Sequence, residues 1–218
     1  MTWFTQLTLA LNYMHAVKVL HRDLKSSNIF VTYKDHQTGE YGPVKLGDFG
    51  ISRVLEGTID AAVTVVGTPY YMSPEICRSE PYSYSSDVWA LGCVLYEMCM
   101  LKHAFESESL VGLVYKIVSD CYDDIDGRIY SQQLANLIRE LLDKSAGSRP
   151  STGDILLKTY VQSYVTNEMR AKQSQQIGQA RETTWEPGDV LTEEEDYANN
   201  LEFLQPRQDF GGEHSISR

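Results

Sequence analysis

One run of eight residues holds the side chains with the clearest chemistry. Residues 21–28 read His-Arg-Asp-Leu-Lys-Ser-Ser-Asn. Asp23 is suited to accept a proton from a hydroxyl group, and Lys25 is suited to neutralise a phosphate. Asn28 offers a neutral oxygen of the kind that magnesium prefers. Transfer of a phosphoryl group needs these groups, because it depends on an aligned acceptor and on neutralised charge.

A second motif, Gly-Asp-Phe-Gly at residues 47–50, follows at a short distance. The Asp48 carboxylate could hold a metal ion against phosphate. Gly50 allows backbone angles that let Asp48 and Phe49 be held or turned together. Each of these residues alone would be an ordinary polar or apolar loop residue. The two motifs at this separation together predict a phosphoryl-transfer site.

The overall composition indicates a folded protein and argues against a nucleic-acid-binding protein. The 218 residues are 42% hydrophobic, which is enough for a core, and the net charge of −11 argues against nucleic acid as a main partner. The four cysteines form no Cys-x-x-Cys pair, so we expect reduced thiols packed in a core. Cys99 and His103 could share a helix face, but two potential ligands do not make a zinc site.

We expect no membrane partner and an intracellular location. The first residues lack the basic and apolar regions of a secretion signal. The most apolar run, residues 88–101, is too short to cross a bilayer and contains Glu97.

Apolar spacing predicts a mainly helical chain with a few short strands around residues 21–28. A first helix ends near residues 17–20, and it carries a stripe of Trp3, Leu7, Leu11 and Met14. Further predicted helices cover residues 87–100, 110–118, 134–142 and a stretch after Pro150. The helices over 110–118 and 134–142 each carry an apolar stripe, and these stripes are Leu110, Leu113, Val114, Ile117 and Val118, and Leu134, Leu137, Ile138, Leu141 and Leu142. Predicted strands cover residues 29–31 and 44–46.

Two of these helices can be described further. Ser85 or Ser86 could cap the helix over 87–100, which is apolar on nearly every face and is therefore expected at the centre of the fold. Ser151 or Thr152 could cap the last helix.

The apolar pattern fades beyond residue 165. Residues 167–179 are rich in Gln, Lys and Glu and could form a polar helix, and residues 193–196 are all acidic. We expect a folded domain over residues 1–165 and a polar, acidic and mostly disordered tail over 166–218.

On these motifs, the chain resembles the C-terminal lobe of a eukaryotic protein kinase. Residues 73–75 read Ser-Pro-Glu where the family usually has Ala-Pro-Glu. The lysine of the first motif and the Gly-Thr-Pro-Tyr-Tyr segment at 67–71 resemble the Ser/Thr-specific branch. Residues 46–53 and 64–75 are similar to those of NIMA-related (Nek) kinases. The resemblance runs over residues 3–165, and Ser145-Ala146 departs from it, since Asp-Pro is frequent there.

The resemblance implies ATP and Mg²⁺ as cofactors and Ser or Thr hydroxyls of proteins as acceptors. Asn28 and Asp48 would hold the metal ion, and Phe30 would lie beneath the adenine ring. Thr68 would contact Asp23 and Lys25 in the active state.

Further residues would organise the site. Asp87 would bind the backbone of residues 21–28, which correspond to the catalytic loop of the family. Glu75 would pair with Arg149, and His21 and Phe49 would stack between the two lobes. For His21, Phe30 and Phe49, simple core packing is the alternative interpretation.

The resemblance also implies regulation and a cellular setting. Arg22 would receive a phosphorylated activation loop, with Thr64 as the first candidate phosphosite and Thr58 as the second. An unmodified loop residue is the alternative for Thr64. A cytoplasmic, cytoskeleton-associated location follows by analogy only.

The motifs that the N-terminal lobe contributes to a kinase active site have no counterpart in these 218 residues. The chain contains no Gly-x-Gly-x-x-Gly loop and no preceding strand lysine, so the N-terminal lobe is expected to be absent and the chain to be a truncated Ser/Thr kinase. The alternative is a non-catalytic binding module or scaffold. We expect negligible kinase activity from the 218 residues alone.

Overall fold

The computed structural model describes residues 1–31, 42–47, 69–119, 121–166 and 169. Most of the predicted polar helix over 167–179 lies outside the described residues, as does the rest of the tail. The predicted division at residue 165 therefore stays a prediction.

The described part of the chain is mainly helical, as predicted, with two short strands. The helices are Thr2–Ala16 (α1), Pro74–Cys77 (α2), Tyr84–Met100 (α3), Leu110–Ser119 (α4), Gln132–Leu141 (α5), Thr152–Leu157 (α6) and Thr159–Gln162 (α7). Short 3₁₀ helices cover Ser26–Asn28 and Ala146–Ser148, and the strands are Ile29–Val31 (β1) and Val44–Leu46 (β2). None of the described helices combines the length and the apolarity that a membrane crossing requires.

Helix α3 lies at the centre of the core, as its apolar surface predicted. Every residue from Ser86 to Tyr96 is buried. The predicted start is wrong by three residues, because the helix begins at Tyr84 with Ser83 as N-cap. The Ser83 backbone N–H donates to the Ser86 hydroxyl at 3.2 Å. Serines at 83, 85 and 86 could each cap a helix, so residue type alone does not choose between them.

Helix α3 ends at Met100, since Leu101 adopts a left-handed backbone with φ of 55°. His103 therefore lies beyond the helix, and the expectation that it shares a helix face with Cys99 is wrong. Among the described residues, no three His, Cys, Asp or Glu side chains form a group that could hold a metal ion.

The cysteines only partly follow the prediction. All four lie in the described part of the chain, and none forms a disulfide. Cys93 is buried in α3, whereas Cys121 is exposed. Core packing of all four thiols is therefore wrong.

The surrounding helices each pack one apolar face onto the core. Helix α5 buries the predicted Leu134, Leu137, Ile138 and Leu141. Helix α4 buries only Leu113 and Ile117 of its predicted stripe. In α1 the buried stripe is Phe4, Leu7, Leu11 and Met14, so Phe4 takes the place predicted for Trp3. In α6 the cap is Ser151, whose hydroxyl accepts from the Asp154 N–H at 3.1 Å.

The two predicted strands form one antiparallel pair. The register aligns Ile29 with Leu46 and Val31 with Val44. The Gln6 side chain of α1 accepts a hydrogen bond from the Val44 N–H at 2.8 Å, so the pair is tied to the core. Residues 21–28 lie between α1 and β1, and this arrangement positions the candidate site.

Candidate active site

Three side chains of the first motif meet at one carboxylate oxygen. The Lys25 Nζ lies 2.6 Å from Asp23 Oδ2, and the Asn28 Nδ2 donates to the same oxygen at 3.0 Å. The Asn28 Nδ2 also donates to the Asp23 backbone carbonyl at 2.8 Å. Asp23 is thereby oriented by two donors that lie two and five residues further along the chain.

The backbone explains how these residues meet. Lys25 is extended, with φ of −160° and ψ of 163°, so its side chain can return to the side of Asp23. The 3₁₀ helix over Ser26–Asn28 then turns the chain back, which brings the Asn28 amide under the loop. The side chains of Asp23 and Lys25 are 21% and 34% exposed, whereas Asn28 is buried. The carboxylate and the ammonium can therefore both be reached by a substrate.

The backbone of this catalytic loop is held by Asp87 of α3. Its fully buried carboxylate accepts from the His21 N–H at 3.0 Å and the Arg22 N–H at 3.1 Å. Arg22 has a left-handed backbone, with φ of 66°, which costs energy for any residue other than glycine. The buried acceptor compensates for part of that cost by fixing both amides.

Two further residues complete the environment of Asp87. The His15 Nε2 lies 2.9 Å from Asp87 Oδ2, and the Tyr82 hydroxyl donates to Oδ1 at 2.6 Å. Burial alone would raise the pKa of Asp87, but hydrogen bonds from His15, Tyr82 and the loop outweigh it and lower the pKa. The carboxylate therefore stays ionised. The roles of His15 and Tyr82 could not be predicted from the sequence, because no local spacing links either residue to Asp87.

His21 is buried beneath the loop. Burial lowers the pKa of its imidazole despite the nearby carboxylates of Asp87 and Asp23. The Nδ1 atom accepts a hydrogen bond from the Asp23 backbone N–H at 3.4 Å. A neutral ring with an acceptor nitrogen fits this arrangement.

The strand pair leads the chain back to the catalytic loop. The Gly47 N–H donates to the Asn28 carbonyl at 2.9 Å. A Cβ atom on Gly47 would lie 2.7 Å from a ring carbon of Phe30, so a larger residue at position 47 would require that ring to shift. Phe30 itself is 52% exposed. Asp48 is the next residue along the chain after Gly47.

The remaining predicted site residues lie outside the described residues, and their roles stay predictions. They are Asp48, Phe49, Gly50, Thr58, Thr64 and Thr68.

Glu75 and Arg149 form a buried bidentate pair away from the loop. The Nη1 and Nη2 atoms of Arg149 lie 2.7 and 2.8 Å from the two carboxylate oxygens of Glu75. Arg149 also donates to the carbonyls of Ser85 and Asp143, each at 2.8 Å, and its guanidinium lies over Trp89. The pair joins α2, the start of α3 and the segment before α6, so its role is structural.

The residues that depart from the resemblance also form a turn. The Ser145 N–H donates to an Asp143 carboxylate oxygen at 2.8 Å, and the 3₁₀ helix Ala146–Ser148 leads to Arg149. The Ser145-Ala146 sequence therefore still delivers Arg149 to Glu75.

The donor set of the described residues fits a magnesium nucleotide in part. Both hydrogen bonds of the Asn28 amide use its nitrogen, so its carbonyl oxygen is the atom suited to a metal ion. Lys25 supplies one cation for phosphate, and Phe30 supplies exposed apolar surface for a base.

Comparison with known proteins gives a consistent result. Residues 1–161 match the protein kinase domain family. The chain is 50% identical over 159 residues to mouse Serine/threonine-protein kinase Nek1, which covers 73% of this chain and 13% of Nek1. It is 39% identical over 213 residues to mouse Nek4, which covers 96% of this chain and 26% of Nek4. Human Nek5 is 44% identical over 164 residues, 75% of this chain and 22% of Nek5. The chain thus spans about a quarter or less of the length of these relatives.

Proposed function

Because the chain belongs to the protein kinase family, and Nek Ser/Thr kinases are among its relatives, we propose that it transfers the γ-phosphate of ATP to Ser and Thr hydroxyls of proteins. The observation that carries the proposal is the shared oxygen of Asp23, at 2.6 Å from Lys25 Nζ and 3.0 Å from Asn28 Nδ2. The resemblance to Nek kinases drawn from the motifs is confirmed.

Each of the three residues has a separate task. Asp23 accepts the proton of the substrate hydroxyl and orients that hydroxyl for attack. Lys25 lies beside the carboxylate and neutralises charge on the transferred phosphate. Asn28 fixes Asp23 through its amide nitrogen, and its oxygen would be free to hold a metal ion.

The cofactor is magnesium-bound ATP, which supplies the phosphoryl group when bound. Asn28 and Asp48 would hold the metal ion, and Phe30 would lie against the base. We assign the described residues to the C-terminal lobe of the kinase fold, on the basis of the mainly helical architecture and the catalytic loop that it contains. This assignment also fits the lack of a Gly-x-Gly-x-x-Gly motif in the 218 residues.

A chimera tests the proposal by supplying the missing glycine loop. The glycine-loop lobe of a related Nek kinase is fused ahead of Met1, and phosphate transfer from labelled ATP to Ser- and Thr-containing peptides is measured with Mg²⁺. We expect transfer by the chimera and a fall of about 10²-fold or more in kcat for Asp23→Asn, because a general base contributes on that scale.

The matched control is Asp124→Asn, which makes the same change at an exposed carboxylate outside the site. It should leave kcat within about twofold of the parent chimera. A folded chimera that transfers no phosphate contradicts the proposal, as does transfer that survives Asp23→Asn. Either result would leave the non-catalytic binding module as the better description.

We also propose that phosphorylation of Thr64 regulates the site through Arg22. Arg22 supports this idea because its backbone is fixed by Asp87 beside the catalytic residue, so its guanidinium extends from a defined position. In the chimera, Thr64→Ala should lower kcat after activating phosphorylation, whereas Thr58→Ala should not. Equal activity of Thr64→Ala and the parent would refute the assignment.

A further inference from the structure

Ser26, the residue after Lys25, contacts a segment that is distant in sequence. Its Oγ lies 2.9 Å from the Tyr71 hydroxyl oxygen, and its backbone N–H points at the same oxygen from 3.5 Å. Its Oγ also lies 3.2 Å from Glu97 Oε1. Two groups of one exposed residue therefore converge on a single phenol oxygen.

The Tyr71 phenol connects Ser26 to the buried helix. Its hydroxyl donates to Glu97 Oε2, in the last turn of α3. Burial, together with the hydrogen bond to Glu97, raises the pKa of Tyr71 to about 12. The phenol therefore keeps its proton and donates it to Glu97, which leaves its oxygen to accept from the Ser26 backbone N–H and to share the single Ser26 hydroxyl proton with Glu97 Oε1.

The residue before Tyr71 makes a second contact with the region at the end of α3. Tyr70 stacks on His103, with ring centroids 4.0 Å apart and planes 14° apart. The Met72 N–H donates to the Pro69 carbonyl at 3.1 Å, so residues Pro69–Met72 form a turn. We call these residues the substrate-side turn. It is anchored to α3 and the following loop by two aromatic side chains, and to the catalytic loop by Ser26.

We infer that Ser26 is a positioning residue whose hydroxyl couples the substrate-side turn to the catalytic loop. The inference rests on the proposed function, since the surface beside Asp23 and Lys25 is where an acceptor polypeptide must lie. If the turn shifts relative to Asp23, the surface that binds the acceptor polypeptide changes and the polypeptide binds more weakly, while the nucleotide side of the site is unaffected. Ser26 thus acts through Tyr71 and not on the reacting atoms.

The coupling can be measured on the 218-residue chain without any activity assay. Hydrogen exchange of the amides at residues 70–72 is compared among variants by mass spectrometry. We expect Ser26→Ala to speed their exchange by about fivefold, which corresponds to loss of one hydrogen bond. Ser26→Thr keeps the hydroxyl and should restore the parent rate. Ser27→Ala, the same change at the adjacent exposed serine, should leave the rate unchanged.

Tyr71→Phe removes the partner hydroxyl and provides a second route to the same result. It should speed exchange at residues 70 and 72, and adding Ser26→Ala to it should have little further effect. Unchanged exchange in both Ser26→Ala and Tyr71→Phe overturns the inference. This result is independent of whether the chain proves to be a kinase.

Kinetics of the active chimera then test the functional half. We expect Ser26→Ala to raise KM for the acceptor peptide about three- to tenfold, with KM for ATP unchanged and with rescue by Ser26→Thr. A fall in kcat with no change in the peptide KM, or equal effects of Ser26→Ala and Ser27→Ala, would overturn it. A chimera inactive in every form would count against the proposed function and leave the exchange experiment as the decisive test.

Discussion

At the scale of single residues, the loops of this protein are held by buried charges that have partners. The carboxylate of Asp87 accepts hydrogen bonds from two loop amides, and the carboxylate of Glu75 accepts hydrogen bonds from the Nη1 and Nη2 atoms of Arg149. Burial of each carboxylate costs desolvation free energy, and several hydrogen bonds to the buried group offset that cost. Loss of one partner should therefore cost more than the pair itself contributes.

Arg149→Leu tests this expectation directly. It leaves the Glu75 carboxylate buried without its cation, so the free energy of unfolding should fall by about 3–5 kcal/mol. Urea denaturation followed by circular dichroism measures the change. Arg128→Leu removes the same side chain from a solvent-exposed pair with Asp126 and should change the free energy of unfolding much less than Arg149→Leu does. Equal losses in the two variants would contradict the buried-charge explanation.

The same pair predicts the response to acid. Burial alone would raise the pKa of Glu75, but hydrogen bonds from Arg149 and Ser86 outweigh it and lower the pKa from 4.5 to about 2. Because the folded-state pKa is the lower one, the stabilisation is fully present above pH 4.5 and is lost as the pH falls towards 2. The loss should be on the order of 3 kcal/mol. The pKa of Asp87 is also lowered, so protonation of Asp87 adds to the loss of stability in acid.

Urea midpoints measured between pH 7 and pH 3 check this expectation. Glu75→Gln should be less stable at pH 7 and should show a shallower decline with acid. A parallel decline in the variant and the parent would show that other carboxylates dominate.

The residue scale also shows what the sequence could reveal. Asp23, Lys25 and Asn28 lie two and three residues apart, so their meeting follows from one extended residue and one 3₁₀ turn. His15 and Asp87 are 72 residues apart, and Ser26 and Tyr71 are 45 apart. No local period encodes such contacts, which arise only when α1, α3 and the loops pack together.

At the scale of elements, the close approach of α3 and α5 depends on one glycine. A Cβ atom on Gly92 would lie 2.8 Å from the Leu141 Cβ and 3.0 Å from a methyl carbon of Leu142. Both neighbours are buried core residues of α5 or its C-cap. The helices therefore cannot keep this distance with a larger residue at position 92.

Gly92→Ala should lower the free energy of unfolding by about 1–3 kcal/mol through overpacking, despite the better helix propensity of alanine. Gly153→Ala in α6 is the matched control, because its nearest neighbours would lie at 3.7 and 3.8 Å. That variant should be neutral or slightly more stable. Urea denaturation of both proteins distinguishes overpacking from a general effect of the substitution.

Elements were more predictable than their ends. The strands over 29–31 and 44–46 and the central position of α3 followed from residue pattern. The sequence predicts the start of α3 wrongly because three serines compete as caps, and it predicts Trp3 in the core because Trp3 and Phe4 are adjacent apolar residues. A choice of this kind is made by tertiary packing and not by local propensity.

At the scale of the whole molecule, apolar surface remains exposed on the strand pair. Phe30 and Val31 are 52% and 40% exposed, directly after the catalytic loop. Exposed apolar surface of this kind favours association.

The 218-residue chain should therefore self-associate at high concentration. Phe30→Ser combined with Val31→Thr should shift sedimentation towards the monomer. Leu157→Ser, at a residue that is 71% exposed on α6, should have a smaller effect. A parent chain that stays monomeric at high concentration would contradict the expectation.

The left-handed backbone of Arg22 has one more consequence. Glycine would adopt φ of 66° without the penalty of about 1 kcal/mol that a longer side chain incurs there. The arginine at position 22 therefore lowers the stability of the fold relative to a glycine there, while it places a guanidinium at this position. Arg22→Gly should therefore make the fold more stable and, under the proposed regulation, should abolish the response to phosphorylation of Thr64, so the variant would exchange regulation for stability.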